Sequence, residues 1–353
     1  MSNLSAPRRL LAWAVPATLA FAVVAPALPA QAAPANTPSP AAAGPVDKDL
    51  NGDGVPDLVT VGGPTTGLDS GVWAARGRVN ATTGVGTGRV KVPAVNIGVY
   101  GNGVSGNDDP AADFDGAQVI TGRFFGTANQ DFLAYYPGGV NAGGGSFIAG
   151  VGDGTMVNPY RGSGQVTLIR EYFVDEYDNS PVQLVNGYTA DGADSGIADL
   201  LGIVGDSTNG YRLTYYPNIG APSLYFPRLP LSNATPTGGT DWQNWTLAST
   251  ELASGAALVL RNATTGDLYL WQGVTMTDNG DGTGTLSYTQ YRLASGWNAG
   301  VAISGLTTAD LNADGVADLW AVFPDGSVRA YLISNLSATK PAKIRAIEAQ
   351  QLR

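Results

Sequence analysis

From Asp47 onward the chain is a succession of short apolar runs separated by turns rich in Gly, Asn and Asp. Leu58–Val61, Phe132–Tyr136, Leu200–Val204, Ala256–Leu260 and Leu319–Phe323 are representative. No stretch sustains a 3.6-residue period, and Val, Leu, Tyr and Trp dominate the runs. Runs of that length and composition, bounded by turn formers, predict strands rather than helices, so the fold class is all-β.

The runs recur in a fixed context. The clearest copy is the last: a strand at Val301–Ser304, an acidic loop at Asp310–Asp318, a strand at Leu319–Phe323, a Pro324-Asp325-Gly326 turn, and a strand at Ser327–Ile333. Residues 246–293, 185–217 and 119–136 fit the same template, and Asp49–Asp57 opens a first copy. The residue that ends each loop falls at Asp57, Asp131, Asp199, Ala257 and Asp318, with spacings of 74, 68, 58 and 61 residues. Units of about four strands at such a period are what propeller blades look like, and five copies predict five blades. The first copy lacks a strand before its loop. The segment Ala342–Arg353 extends past the last copy and can complete the first blade or add an outer strand to the fifth. Either pairing of the N- and C-terminal segments closes the ring and removes an exposed edge. The Ala, Glu and Gln of that segment also suit a terminal helix.

Two loops are nearly identical. Asp49-Leu50-Asn51-Gly52-Asp53-Gly54-Val55-Pro56-Asp57 and Asp310-Leu311-Asn312-Ala313-Asp314-Gly315-Val316-Ala317-Asp318 both read D-x-N-x-D-G-x-x-D. Calcium takes six to eight oxygens in flexible geometry. Asp49, Asn51, Asp53, the Val55 carbonyl and Asp57 supply such a set, as do Asp310, Asn312, Asp314, the Val316 carbonyl and Asp318. An EF-hand needs a Glu at position 12, where these loops have Thr60 and Ala321 inside strand-like runs. A third loop, Asp191–Asp199, keeps Asp191, Gly196 and Asp199 but has no acids at positions 3 and 5, which makes it a weaker metal candidate. The ninth-position Asp placed directly before a strand resembles FG-GAP (VCBS-type) repeats, the calcium-loop blades of integrin-α-like propellers. The resemblance is close at Asp49–Val59 and Asp310–Val322, partial at Asp191–Leu200 and residual at 122–133. It implies a calcium-stabilised propeller over residues 47–353, of the kind found in secreted actinobacterial repeat proteins.

Composition narrows the chemistry. The 353 residues include no Cys and no His. That removes histidine-based triads, His-ligated zinc, thiol nucleophiles and disulfides, and leaves carboxylates, Lys, Tyr and Ser/Thr. Arg8-Arg9, the apolar stretch Leu10–Leu28 and Ala30-Gln31-Ala32 read as a signal peptide over 1–32, which places the protein outside the cell. Residues 33–46 are an Ala/Pro-rich linker. No second apolar stretch of membrane length follows. Loss of Arg8 and Arg9 with the signal takes the formal charge from −10 to −12, which argues against nucleic acid and anionic membranes as partners.

Other residues invite a chemical reading. Asp108, Asp109, Asp113 and Asp115 form one acidic cluster, and Glu171, Asp175, Glu176 and Asp178 another. Either offers the two acids, ~5–10 Å apart, of a glycosidase, although solvated turns are the simpler reading. Asp278-Asn279-Gly280-Asp281-Gly282 reads as a hairpin turn. Trp242 and Trp245, in a Gly-rich stretch, are candidates for stacking on a sugar, whereas Trp320 is expected in the core. The function expected from these features is a secreted, calcium-stabilised, non-catalytic binding module for a glycan or cell-envelope ligand. The alternatives are a carboxylate-dependent glycan-cleaving enzyme on the same scaffold, or a structural domain whose partner is another extracellular protein.

Overall fold

The structure is a computed structural model that describes residues 46–99, 101, 110–154, 165–193 and 195–353. The signal peptide, the linker up to residue 45, Asp108, Asp109 and Asp194 lie outside the described residues.

The described residues form five blades in sequence order. The first joins β1 (Leu58–Gly63), β2 (Leu68–Ala75) and β5 (Val95–Asn96), with a hairpin of β3 (Gly77–Val79) and β4 (Gly86–Val90) between β2 and β5. The second runs β6 (Gln118–Gly122), β7 (Asp131–Tyr135), β8 (Gly145–Ile148) and β9 (Gln165–Thr167). The third is β10 (Gln183–Tyr188), β11 (Asp199–Asp206), β12 (Gly210–Tyr216) and β13 (Leu229–Pro230). The fourth is β14 (Trp245–Leu252), β15 (Gly255–Asn262), β16 (Leu268–Asp278) and β17 (Gly284–Ala294). The fifth is β18 (Gly305–Ala309), β19 (Asp318–Val322), β20 (Ser327–Ser334) and β21 (Lys343–Ala346), with β22 (Gln350–Gln351) also on β20. Every pairing within these sheets is antiparallel, as up-and-down blades require.

Five apolar clusters hold the sheets together, one for each pair of neighbours. Leu50, Val59 and Phe132 join the first blade to the second. Phe124, Leu200 and Tyr216 join the second to the third, and Tyr215, Trp242 and Trp271 the third to the fourth. Val259, Leu270 and Leu319 join the fourth to the fifth. The last cluster, with Leu58, Trp73, Trp320 and Leu332, joins the fifth to the first. An open fan of five blades has four such interfaces; the fifth makes this a closed β-propeller. The strands read as continuous apolar runs because each blade is covered on both faces. All five residues of β7 and of β19 are buried. Trp320 is in the core as expected, and its indole N–H donates to the Gly88 carbonyl at 2.7 Å, tying β19 to the β3–β4 hairpin.

The C-terminal segment is strand, not helix. It serves as the outer strand of the fifth blade and then crosses to the first. The Gln350 side chain bridges the N–H and the carbonyl of Val90, Leu352 accepts the Ala94 N–H at 2.7 Å, and the Leu352 side chain is fully buried between the two blades.

The first blade differs from the others at the axis. In blades two, three and five the innermost strand precedes the loop and the second strand follows it. β1 follows its loop, so it matches β7, β11 and β19, and its sheet begins at that second position. The innermost strands β6, β10, β14 and β18 line the hub, and β1 closes the circle between β18 and β6 from one strand further out.

Candidate functional site

The two acidic loops fold alike. Asp49 accepts N–H bonds from Gly52 at 2.8 Å and Gly54 at 2.8 Å, and Asp53 accepts one from Val55 at 3.2 Å. Asp310 accepts from Asp314 at 3.0 Å and Gly315 at 2.9 Å, and Asp314 from Val316 at 2.9 Å. Gly54 and Gly315 both have left-handed backbone, with φ of 83° and 81°. That conformation favours glycine and accounts for the Gly at position 6. Among the described residues no three acidic side chains stand close enough together to cage a metal as placed. The donor set is nonetheless hard oxygen throughout. Asp53, Asp57, Asp310, Asp314 and Asp318 keep lone pairs beyond those their hydrogen bonds use, whereas Asp49 already accepts four backbone N–H bonds, from Asn51, Gly52, Asp53 and Gly54.

The ninth-position aspartates have a role that the motif did not reveal. Asp57 accepts N–H bonds from Leu50 in the loop before it and from Gly77, just past the end of β2, at 3.1 and 2.9 Å. Asp318 does the same with Leu311 and Ile333, at 3.2 and 2.6 Å. Asp131 accepts from Phe124 and Phe125 on one oxygen, at 2.8 and 2.9 Å, and from Gly150 on the other, at 2.9 Å. Asp199 accepts from Asn218 N–H at 2.7 Å and from the Tyr215 hydroxyl, and that hydroxyl in turn accepts the Asp191 N–H at 3.2 Å. In four blades, then, one buried carboxylate ties the loop to the register of the third strand. The fourth blade has Ala257 there and needs no tie, because β14 and β15 join through the two-residue connection Ala253-Ser254. Burial pushes the carboxyl of Asp57 up to about 6, of Asp199 to about 7 and of Asp318 to about 8, against the amide bonds that favour ionisation. At Asp318 the neighbouring Asp314 and Asp310 charges add to the rise.

Several acids of the two clusters have structural partners, although Asp115 Oδ1 is buried without one. Asp175 is buried and accepts from the N–H groups of Tyr177 and Asn179. Glu176 pairs with Arg212 and Asp178 with Arg170. Asp115 accepts from the Ser70 hydroxyl at 3.0 Å. Asp278 and Asp281 shape the exposed β16–β17 hairpin through bonds from Gly280 and Thr283. Trp242 and Trp245 are corrected from the sequence expectation. They are 2% and 4% exposed, Trp242 packs edge-on against Trp271, and neither offers a free face to a sugar.

Sequence reasoning missed the hub. A cavity of about 280 Å³ occupies the axis, bounded by β1, β6, β10, β14 and β18. Thr60, Thr121, Asn186, Thr246, Ser304 and Thr307 are among its lining residues. The wall is built by glutamines at the start of two innermost strands. Gln118 bonds the Val182 carbonyl and the Leu184 N–H of the next blade; Gln183 bonds both backbone groups of Leu247. The loop end is plugged by Asp47 and Lys48. The Lys48 ammonium donates to Asp47 at 2.6 Å and to the Ser249 carbonyl at 2.8 Å, and Asp47 accepts from Tyr188 and Thr250 hydroxyls at 2.8 and 2.9 Å. Lys48 has left-handed backbone, φ 62°, and there the chain turns across the hub. The recurrence of Gln ahead of Asp131 and Asp199 was the available signal; nothing in the sequence marked Asp47 or Lys48.

No family model matches the chain, and no curated protein matches it. Among solved structures it is similar to a lectin of Agrocybe aegerita, described as recognising non-reducing terminal N-acetylglucosamine. The identity is 15% and the TM-score 0.38, over 84% of this chain and 64% of that one. The chain therefore spans less than two thirds of the lectin's length, and a likeness of this degree carries no functional argument. Among the described residues no helix is long and apolar enough to cross a membrane.

Proposed function

We propose that the protein is a secreted, calcium-stabilised propeller of the FG-GAP/VCBS type that binds a glycan or cell-envelope ligand without turning it over. The observation that carries the reading is the hub cavity. Its volume of about 280 Å³ lies near the lower end, roughly 300 Å³, of small-molecule sites. Its lining amides are bonded to backbone, and its hydroxyl side chains, Thr60, Thr121, Thr246, Ser304 and Thr307 among them, are donors and acceptors of the kind that a polyhydroxylated ligand meets. Calcium in the Asp49–Asp57 and Asp310–Asp318 loops holds the blades on either side of the ring closure and stabilises the fold by mass action. Of the acids that a glycosidase would use, Asp175 is committed to a turn and Glu176 and Asp178 to ion pairs, which supports the non-catalytic reading.

A glycan array probed with the chain from residue 33 onward, with and without calcium, tests this. Binding with no released fragments is the expected result. Fragment release would overturn the non-catalytic reading, and absence of any binding would overturn the ligand class.

A further inference from the structure

Arg261 sits on β15 opposite Thr246, at the end of the hub away from the Asp47–Lys48 plug. It lines the cavity and is 6% exposed. Its Nη2 donates to the carbonyls of Asn298 and Val301, at 2.9 and 3.4 Å, and its Nε is buried without a partner. The guanidinium lies 5.9 Å from the centre of the Trp297 ring. Among the described residues no carboxylate forms an ion pair with it. Burial alone lowers its pKa, with no acid opposing the shift. An arginine stays charged even so, and buried charges are ordinarily paired. The other charges in the lining are compensated. Lys48 is neutralised by Asp47 at 2.6 Å, and Asp57 is turned onto the amides of Leu50 and Gly77.

We infer that the hub cavity binds an anionic group of its ligand, the carboxylate of an acidic sugar, against Arg261. The inference rests on the hub-binding reading above and names the class of ligand within it. Carbonyls hold the guanidinium but do not balance its charge, so an incoming carboxylate gains a charge-assisted bond at a site already desolvated. The chain as a whole repels anions, with a formal charge of −10. That field disfavours long polyanions and leaves a single acidic residue on an otherwise neutral glycan as the ligand that fits.

The test is calorimetric titration of the calcium-loaded chain with three oligosaccharides that differ only at the terminal sugar: glucuronate, glucose and glucose 6-sulfate. Binding of the glucuronate form at least tenfold tighter than the glucose form is expected, with Arg261→Gln abolishing the difference while glucose-terminated binding persists. Because Arg261 also packs on Trp297, Thr246→Glu provides a second variant: it sets a carboxylate opposite Arg261, leaves the arginine in place, and should abolish the same preference. Equal binding of the sulfate form would support the charge recognition and widen its source to sulfate esters. Equal or tighter binding of the glucose form, or a preference that survives both substitutions, overturns the inference while leaving the hub reading intact. Failure of all three probes overturns both.

Discussion

Asp131 accepts the Gly150 N–H at 2.9 Å in a blade whose loop carries no other acid at the motif positions. With Phe124 and Phe125 on its second oxygen, this carboxylate satisfies three amides around one buried point. The same bond recurs as Asp57 to Gly77, Asp199 to Asn218 and Asp318 to Ile333. The ninth position of the motif thus holds a blade together whether or not a metal is present, which explains why it persists at Asp131 after the other acids of that loop are gone.

Asp131→Ala is therefore expected to destabilise the protein although it touches no proposed calcium loop. The substitution strands the Phe124, Phe125 and Gly150 amides, and leaving a buried donor unsatisfied costs about 1–3 kcal/mol each. Relaxation and water entry offset part of that, so a loss of about 3 kcal/mol is expected from urea unfolding. A midpoint unchanged from the parent would show that the tie is incidental.

Burial of these carboxylates gives the metal-free protein an inverted pH dependence. Asp199 is pushed up to about 7, and Asp131 is also raised, both chiefly by desolvation. A carboxyl that ionises less readily folded than unfolded favours the fold while protonated. The benefit is complete below the unfolded value near 3.8 and is lost as pH rises through the folded one. In chelator, the melting temperature is expected to fall between pH 4 and pH 8, and Asp199→Asn is expected to flatten that slope. Melting that rises over the same range would contradict the assignment.

Calcium is proposed for the Asp49–Asp57 and Asp310–Asp318 loops. EDTA is expected to lower the melting temperature at pH 7, and Asp53→Ala and Asp314→Ala should each remove part of that sensitivity. Asp53 and Asp314 make only local turn bonds in the structure, so their loss disturbs the apo fold little. Thermal unfolding that is indifferent to chelation would be incompatible with calcium in both loops.

Much of the architecture was legible because a propeller repeats itself. The anchor residues Asp131, Asp199 and Asp318 each begin a second strand, and Asp57 directly precedes one. The site was far less legible. Gln118, Gln183, Thr121 and Asn186 meet only because ring closure brings separate blades to one axis, and no local pattern encodes that distance. Trp242 and Trp245 misled for a related reason: a Gly-rich neighbourhood suggests an exposed loop, but the short turn at Trp242–Asn244 leads straight into the innermost strand of the fourth blade. Arg261 is the penultimate residue of β15, at the end of its apolar run, where sequence alone does not separate a buried charge from a rim residue.

The closing tail makes its own prediction. Leu352 is fully buried between the first and fifth blades, and Gln350 bonds both backbone groups of Val90. Deleting residues 350–353 removes one buried leucine, worth about 1.5–3 kcal/mol, and the bonds to Val90 and Ala94, each about 1 kcal/mol net. A loss of about 4 kcal/mol is expected, with increased protease cleavage at the exposed β4 edge.

The hub plug separates a structural charge pair from a dispensable one. Asp47 and Lys48 are both buried, and each holds the other at 2.6 Å. Asp47→Ala leaves the Lys48 ammonium with the Ser249 carbonyl and the Tyr188 hydroxyl but without its counter-charge. Breaking one side of a buried pair typically costs about 3–5 kcal/mol, whereas replacing both members with apolar groups is often near neutral. Asp47→Ala alone is therefore expected to destabilise strongly, and Asp47→Ala combined with Lys48→Met to recover most of the loss. The double variant also frees the Tyr188 and Thr250 hydroxyls, so recovery stops short of the parent by about 1–2 kcal/mol. Additive losses in the double-mutant cycle would mean that the two residues act independently and that the pair does not fasten the chain across the hub.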